Sequence, residues 1–210
     1  HSTYLNLYKL NLAEKTSRQV LSKEYNGSDL SINGNYGFAY NDKAYFIVNK
    51  KRETLDGYNT NLFEFDIKSK EINLIDLGGT SEALEIADTV ENDEILLLSQ
   101  STETDSEGKI ERKIRALLVD LNDRALKYNH VLDMDYNMGG LNSDRFRRYD
   151  NKIYAVSSLY YKRRDYDKNC DLPYTFYVFD EKSGKKLYEG NIEINSNYSV
   201  NMGIVKKDEI

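Results

Sequence analysis

Apolar and polar residues alternate in four short segments that each carry Asn or Asp at the fifth position. Alternation with a period of two is typical of a β-strand with one buried face. A polar turn and a second alternating segment follow each time, and the pattern recurs after roughly 55 residues, which indicates a structural repeat. The segments are Leu7–Leu12, Leu62–Ile67, Ala116–Leu121 and Phe176–Glu181, and their Asn or Asp residues are Asn11, Asp66, Asp120 and Asp180.

A second pair of strands lies between the copies of the first pair. The centre of each pair is Asn-Asp, Asp-Asn or Lys-Asp, and Asn and Asp tolerate the positive φ that a two-residue hairpin turn requires. The flanking Tyr, Phe, Ile and Val residues favour a pleated, half-buried surface. We therefore predict hairpins at Phe38–Val48, Glu85–Leu98 and Arg147–Val156, and a further one that begins at Met202.

Together the two pairs form a four-stranded antiparallel meander. The segment Ser81–Asp88, which could also form a turn of helix, fits this register as the first strand of a unit. One meander cannot bury both of its faces, so the units must stack. Radial stacking of four-stranded sheets is a β-propeller. We expect an all-β, β-propeller-like array of about four such blades in a single domain, residues 1–210.

Two questions about this array stay open from the sequence. We expect the array to be part of a larger propeller, because Ile210 falls where an apolar strand should continue; the alternative is a closed four-bladed ring. The strands could also form two stacked sheets in a β-sandwich.

The copy from Phe176 to Leu187 resembles the strand–Asp–turn–Gly–Lys signature of quinoprotein-like and related bacterial β-propeller repeats. The copy at Leu62–Leu74 is similar, with Ser69-Lys70 in place of Ser-Gly. The period is also close to that of kelch-like repeats. The resemblance implies a bacterial β-propeller repeat protein. The chain contains no Trp, which quinoprotein repeats usually supply between blades, so we expect no quinone cofactor.

Charge and composition narrow the classes of partner. The 210 residues carry a net charge of −6, which argues against nucleic-acid binding because that requires clustered cations. The longest apolar run, around Ile95–Leu98, is too short for a transmembrane helix. The single cysteine, Cys170, excludes an intramolecular disulfide. The abundance of Tyr, Asn, Lys and Ile is typical of AT-rich bacterial genomes, in which cell-surface and lipoprotein propellers are common, so we expect an extracytoplasmic location; a cytoplasmic one stays open.

No catalytic motif is evident in the sequence. Asp66, Asp120 and Asp180 could act as acid–base carboxylates, but their repetition at one position favours turn capping. Cys170 and His130 could form a nucleophile and base only if the fold brought them together, and no local motif indicates that. We therefore predict no catalytic residue. We read His130 as structural.

One region is basic and rich in tyrosine. Arg and Tyr are enriched at binding surfaces because both supply large contact area and directional hydrogen bonds. This region could hold an anionic ligand or partner, or be a solvated loop whose tyrosines pack between blades. The predicted binding residues are Arg147, Arg148, Tyr160, Tyr161, Arg163 and Arg164.

The same region contains oxygen-bearing side chains at alternate positions, the spacing of calcium-binding loops. The candidate Ca²⁺ ligands are Asp165, Asp167, Asn169 and Asp171. Cys170 and Phe176 occupy the places where such loops require Gly and Glu. A polar connection without metal is the alternative.

These observations favour a non-catalytic recognition or scaffold module that presents its inter-strand loops to a protein, peptide or glycan. Two alternatives remain. The first is an enzyme whose site is assembled from several blades in a central channel. The second is a structural propeller whose partner is a further blade or domain of the native chain.

Overall fold

The structure, a computed structural model, describes residues 2–26, 30–51, 58–77, 83–87, 90–104, 110–134, 145–158 and 172–194. Within these ranges the chain forms fourteen strands and no α-helix. The strands are β1 (Ser2–Asn11), β2 (Thr16–Asn26), β3 (Leu30–Tyr40), β4 (Lys43–Lys51), β5 (Tyr58–Asp66), β6 (Ile72–Ile75), β7 (Ala83–Ile86), β8 (Glu94–Thr104), β9 (Ile110–Asp120), β10 (Ala125–Leu132), β11 (Phe146–Tyr149), β12 (Lys152–Ser158), β13 (Leu172–Asp180) and β14 (Lys186–Ile194).

The strands build three four-stranded antiparallel sheets, β3–β6, β7–β10 and β11–β14, and a two-stranded sheet of β1 and β2. Each sheet uses consecutive strands, and no described strand crosses to another sheet. This is the connectivity of propeller blades, whereas the sheets of a β-sandwich exchange strands through Greek-key connections. The predicted fold class, an all-β array of blade-like four-stranded sheets, is confirmed. The segment around Ala83–Ile86 is the first strand of a sheet, as predicted, rather than a helix.

The chain divides into two compact units, His1–Ser81 and Glu82–Ile210. The first contains β1–β6 and the second contains β7–β14. The expectation of a single domain over residues 1–210 stays a prediction.

The two-residue turns have the backbone that the sequence requires. Both central residues have positive φ in each of the three described turns, as a type I′ hairpin turn demands. Asn and Asp enter this region at less cost than other side chains. The turns are Asn41-Asp42 between β3 and β4, Asn92-Asp93 between β7 and β8, and Asp150-Asn151 between β11 and β12. The fourth predicted turn, Lys207-Asp208, lies outside the described residues.

The repeated Asn or Asp residues cap the turns that follow them. The Asp66 carboxylate accepts backbone hydrogen bonds from Lys68 at 2.8 Å and Ser69 at 2.9 Å, and these bonds lower its pKa. Asp120 accepts equivalent bonds at 2.9 and 3.1 Å. The hydroxyl and amide of Ser183 both bond Asp180 and lower its pKa. The capping interpretation is therefore confirmed for these carboxylates.

The two kinds of turn are joined in every four-stranded sheet. The residue after the capping Asp donates its amide to the carbonyl of the second residue of the two-residue turn. The bonds are Ile67 to Asp42 at 3.1 Å, Leu121 to Asp93 at 2.9 Å and Glu181 to Asn151 at 3.0 Å. We call this end of each sheet the tight-turn end. Because antiparallel strands alternate in direction, the connections 52–57, 105–109 and 159–171 leave from the opposite end, which we call the long-connection end.

Apolar side chains fill the space between neighbouring sheets within each unit. In the second unit, Leu96, Leu98 and Ala116 of the β7–β10 sheet lie in one buried cluster with Ile153 and Phe179 of the β11–β14 sheet. In the first unit, the sheet β3–β6 packs on Leu7, Val20 and Leu21 of β1 and β2. Each sheet is thereby covered by a neighbour on one face, as expected because a single four-stranded sheet cannot bury its own faces.

The last residue of each capping turn gives a first test. Gly184 has φ of 67°, and a Cβ there would lie 2.6 Å from the Cβ of His130. We expect Gly184→Ala to lower the free energy of unfolding by at least ~1–2 kcal/mol from the left-handed backbone alone, with the clash in addition. Urea denaturation measures the change.

The matched control is Arg124→Gly at the equivalent position, where φ is 54°. Glycine relieves the strain there, so stability should stay level or rise by up to ~1 kcal/mol. Equal effects of the two substitutions would contradict the assignment of a common left-handed turn position.

Candidate functional site

Arg148, one of the predicted binding residues, lies between the two sheets of the second unit at the tight-turn end. Its Nη2 donates to Glu94 Oε2 at 2.7 Å and lies 3.0 Å from Glu181 Oε1. Glu94 is the first residue of β8, and Glu181 follows the capping Asp180. Glu94 also accepts a hydrogen bond from Lys127. Besides burial, the negative charge of Glu181 acts on the Tyr128 hydroxyl and raises its pKa. We call Glu94, Lys127, Tyr128, Arg148 and Glu181 the Arg148 cluster.

Burial and hydrogen bonding shift the pKa values of Glu94 and Arg148 in opposite directions. Burial acts to raise the pKa of Glu94, but hydrogen bonds from Lys127 and Arg148 outweigh it and the pKa falls below its ordinary value. Burial acts to lower the pKa of Arg148, and hydrogen bonds to Glu181 and Glu94 raise it instead. Burial, and then the Glu181 charge, raise the pKa of the Tyr128 hydroxyl. Lys127 and Arg148 thus lie beside Glu94 and Glu181, two basic and two acidic side chains in one cluster.

Further polar contacts tie the same two sheets together. His130 Nε2 lies 2.7 Å from the Lys182 carbonyl oxygen in the turn between β13 and β14, and its ring stacks on Tyr128 with centroids 4.7 Å apart. Lys186 pairs with Asp133 at 2.9 Å. These contacts agree with the interpretation of His130 as a structural residue on an outer strand.

The remaining predicted binding residues do not all fall in the described part of the chain. Arg147 is half-buried on β11, where its Nη1 donates to the Phe146 carbonyl at 2.6 Å. The other four, Tyr160, Tyr161, Arg163 and Arg164, lie outside the described residues, as do the predicted Ca²⁺ ligands Asp165, Asp167, Asn169 and Asp171. In the ranges that the structure describes, no three His, Cys, Asp or Glu side chains are grouped to hold a metal ion. The binding and metal roles of these residues stay predictions.

The long-connection end of the second unit carries a different set of buried polar groups. Arg145, just before β11, is buried with its guanidinium 5.9 Å from the centroid of the Tyr174 ring. Tyr174 lies near the start of β13, which follows the connection 159–171. A cation over an aromatic face is attractive, and more so when both are desolvated. Arg145 therefore places a buried cation beside Tyr174, the third residue of β13.

Two further buried polar atoms lie at this end. Ser157 Oγ, near the end of β12, and Gln100 Oε1, on β8, have no hydrogen-bond partner among the described residues. The register places Ser157 with Ala155, and Gln100 with Leu98, on the two sheet faces that pack together. A buried polar atom without a partner costs ~1–3 kcal/mol, so Ser157 and Gln100 lower the stability of this end of the two sheets.

Similarity to known proteins is found among solved structures. No protein-family model and no curated protein matches the chain. Among solved structures, the chain is similar to the β-propeller domain of the Trilobed protease from Pyrococcus furiosus, which is described as having an open velcro topology. The identity is 13% and the TM-score is 0.42; the match covers 79% of this chain and 44% of the other. The chain thus matches less than half of that protein's length. In the described residues, no helix has the length and hydropathy needed to cross a membrane.

The Arg148 cluster predicts a large loss of stability when its centre is removed. Arg148→Met leaves the buried Glu181 without the guanidinium and the half-buried Glu94 with Lys127 alone, and we expect the free energy of unfolding to fall by up to about 3–5 kcal/mol at pH 7. Lys152→Met is the control, because the Lys152–Asp150 pair on the same hairpin is exposed and contributes no more than about 1 kcal/mol. Urea denaturation of both variants checks this. A loss at Arg148 no larger than that at Lys152 would show that the cluster does not join the sheets.

The pKa of Glu94 predicts a pH dependence. Since the folded-state pKa lies below the ordinary value of 4.5, the cluster stabilises the fold above that pH, and the contribution is lost as pH falls through the folded pKa. The stability difference between the wild type and Glu94→Gln should be largest at pH 7 and shrink below about pH 4. Denaturation series at pH 7, 5 and 3 measure this difference. A difference that is the same at all three values would refute it.

Proposed function

We propose that this chain is a non-catalytic recognition module of the β-propeller type that binds its partner at the long-connection end of its sheets. The partner class is a protein, peptide or glycan with anionic character. We further propose that the module belongs to an extracytoplasmic bacterial protein, on the basis of the composition. The observation that carries the binding proposal is the buried cation of Arg145 beside Tyr174, at the end of the sheet from which the connection with Tyr160, Tyr161, Arg163 and Arg164 leaves.

At the tight-turn end, most of the described ionisable groups bond to the protein itself, while the buried Tyr128 hydroxyl has no hydrogen-bond partner among the described residues. Asp66, Asp120 and Asp180 accept bonds from their own turns, and Arg148 lies between Glu94 and Glu181. The hydrogen bonds from their turns lower the pKa of Asp66 and Asp180, and a carboxylate with a lowered pKa is a poor proton carrier near pH 7. These groups therefore support the architecture rather than a reaction.

At the long-connection end, some of the described polar atoms have no hydrogen-bond partner among the described residues. Ser157 Oγ and Gln100 Oε1 lack hydrogen-bond partners in the described ranges, and Arg145 provides a positive charge beside Tyr174. The connection that leaves this end carries Tyr160, Tyr161, Arg163 and Arg164 in its sequence. A surface that combines Arg and Tyr supplies both charge and contact area to a partner. This combination supports an anionic partner over a neutral one.

Binding to arrays of acidic peptides and sulfated glycans tests the proposal. We expect binding that weakens as salt is raised and that falls at least about tenfold when Tyr160, Tyr161, Arg163 and Arg164 are replaced together by Ala, since truncating central Arg and Tyr contacts costs ~1–2 kcal/mol each. Lys68→Ala is the control at the tight-turn end, where Lys68 forms an exposed ion pair with Asp42 at 2.7 Å. Binding that is lost equally in the control, or chemical turnover of an array ligand, would contradict the proposal.

A further inference from the structure

Polar side chains border the space between the two sheets of the second unit at its long-connection end. Leu98 of β8 and Ala155 of β12 belong to the buried apolar cluster that fills this space. Two residues further along each strand, on the same face, the sequence changes to Gln100 and Ser157. The apolar cluster therefore ends in a polar layer to which each sheet contributes.

The register of the β7–β10 sheet shows which way Gln100 faces. Its direct neighbours across the sheet are Ala83 of β7 and Ile114 of β9. Ile114 is a member of the apolar cluster, and Ala83 packs against it. Because directly opposed residues of neighbouring strands lie on one face of a sheet, Gln100 faces the β11–β14 sheet with them.

The β11–β14 sheet contributes two hydroxyl groups to the same layer. Ser157 is 1% exposed, and Thr175, its direct partner on β13, is 8% exposed. The Thr175 hydroxyl donates to Asn191 Oδ1 of β14 at 3.2 Å. Since that bond uses the only hydrogen of the hydroxyl, Thr175 Oγ1 can take part in a further bond only as an acceptor.

The hydrogen-bonding capacity of the layer is specific. Ser157 Oγ and Gln100 Oε1 are buried and have no hydrogen-bond partner among the described residues. The Ser157 hydroxyl can donate, whereas Gln100 Oε1 and Thr175 Oγ1 accept. A water molecule can accept one bond and donate two, which is the total of ~3 that buried waters typically form. An ammonium group has donors only and would leave the Ser157 hydrogen without an acceptor.

We propose that Ser157, Gln100 and Thr175 form a binding site for one ordered water molecule that joins the two sheets at the long-connection end. Ser157 donates to the water, and the water donates to Gln100 Oε1 and Thr175 Oγ1. Such a bridge offsets the cost of burying these polar atoms. The site is the counterpart of Arg148, which joins the same two sheets at the tight-turn end. The site is enclosed between the sheets, and its test does not require a binding partner.

A double-mutant cycle with Ser157→Ala and Gln100→Met, followed by urea denaturation, tests the proposal. We expect each single substitution to raise the unfolding equilibrium constant about two- to tenfold, because each removes a hydrogen bond of the same water. The double variant should raise the constant by less than the product of the two single effects, since the water can be lost only once.

The matched control is Ser101→Ala. The Ser101 hydroxyl is also buried without a hydrogen-bond partner among the described residues, but Ser101 follows Gln100 and so lies on the opposite face of β8. The effects of Ser101→Ala and Ser157→Ala on the unfolding equilibrium constant should therefore multiply.

Nuclear magnetisation transfer from water to the side-chain hydrogens of Ser157 and Gln100 in the wild type completes the test. Transfer from a slowly exchanging water, together with a coupled cycle, supports the proposal. Effects of Ser157→Ala and Gln100→Met that simply multiply, single variants that unfold less readily than the wild type, or no transfer from water would overturn it. Because the transfer is measured in the wild type, it decides the question even where a variant does not fold.

Discussion

The hydrogen bonds that each capping carboxylate accepts from its own turn are the constraint on which this architecture depends. They fix where the third strand of every sheet ends and where the fourth begins. The amide that follows the carboxylate then bonds the neighbouring two-residue turn, so one short sequence sets the register of three strands. Because side chains alternate between the faces of a strand, the same register decides which residues enter the space between sheets.

The cost of stacking sheets explains the Arg148 cluster. Charged residues from the turns and strand ends of two neighbouring sheets meet at the tight-turn end. Burying an unpaired charge there would cost free energy of folding. Arg148 pairs with Glu94 of one sheet and Glu181 of the other, so these three charges have opposite charges beside them. Apolar residues such as Leu98 and Phe179 fill the space beyond it. Arg148 and its carboxylate partners thus join the two described sheets of the second unit at the tight-turn end.

Local physics made part of this structure predictable. The pairs Asn41-Asp42 and Asp150-Asn151 predicted two-residue hairpin turns, because few residue types adopt positive φ at two consecutive positions. The recurrence of Asp66 and Asp180 at one position of the repeat predicted that they cap turns. The Arg148 cluster was not predictable, because Glu94, Arg148 and Glu181 are distant in sequence and only the stacking of two sheets brings them together. The sequence signal was a basic, tyrosine-rich region, and it placed Arg148 among binding residues without indicating its carboxylate partners. The sequence also did not predict that Leu10 is 65% exposed, because its equivalents in the other copies, Phe65, Val119 and Phe179, are buried.

We expect the capped turns, the apolar cluster and Arg148 to make the two sheets of the second unit one cooperative block. Native-state hydrogen exchange tests it most directly, by comparing amides of β9, such as Leu117, with amides of β13, such as Tyr177. In the wild type, the amides of both strands should exchange with one opening free energy. Exchange of β9 and β13 with clearly different opening free energies would mean that the sheets unfold separately, and would contradict it.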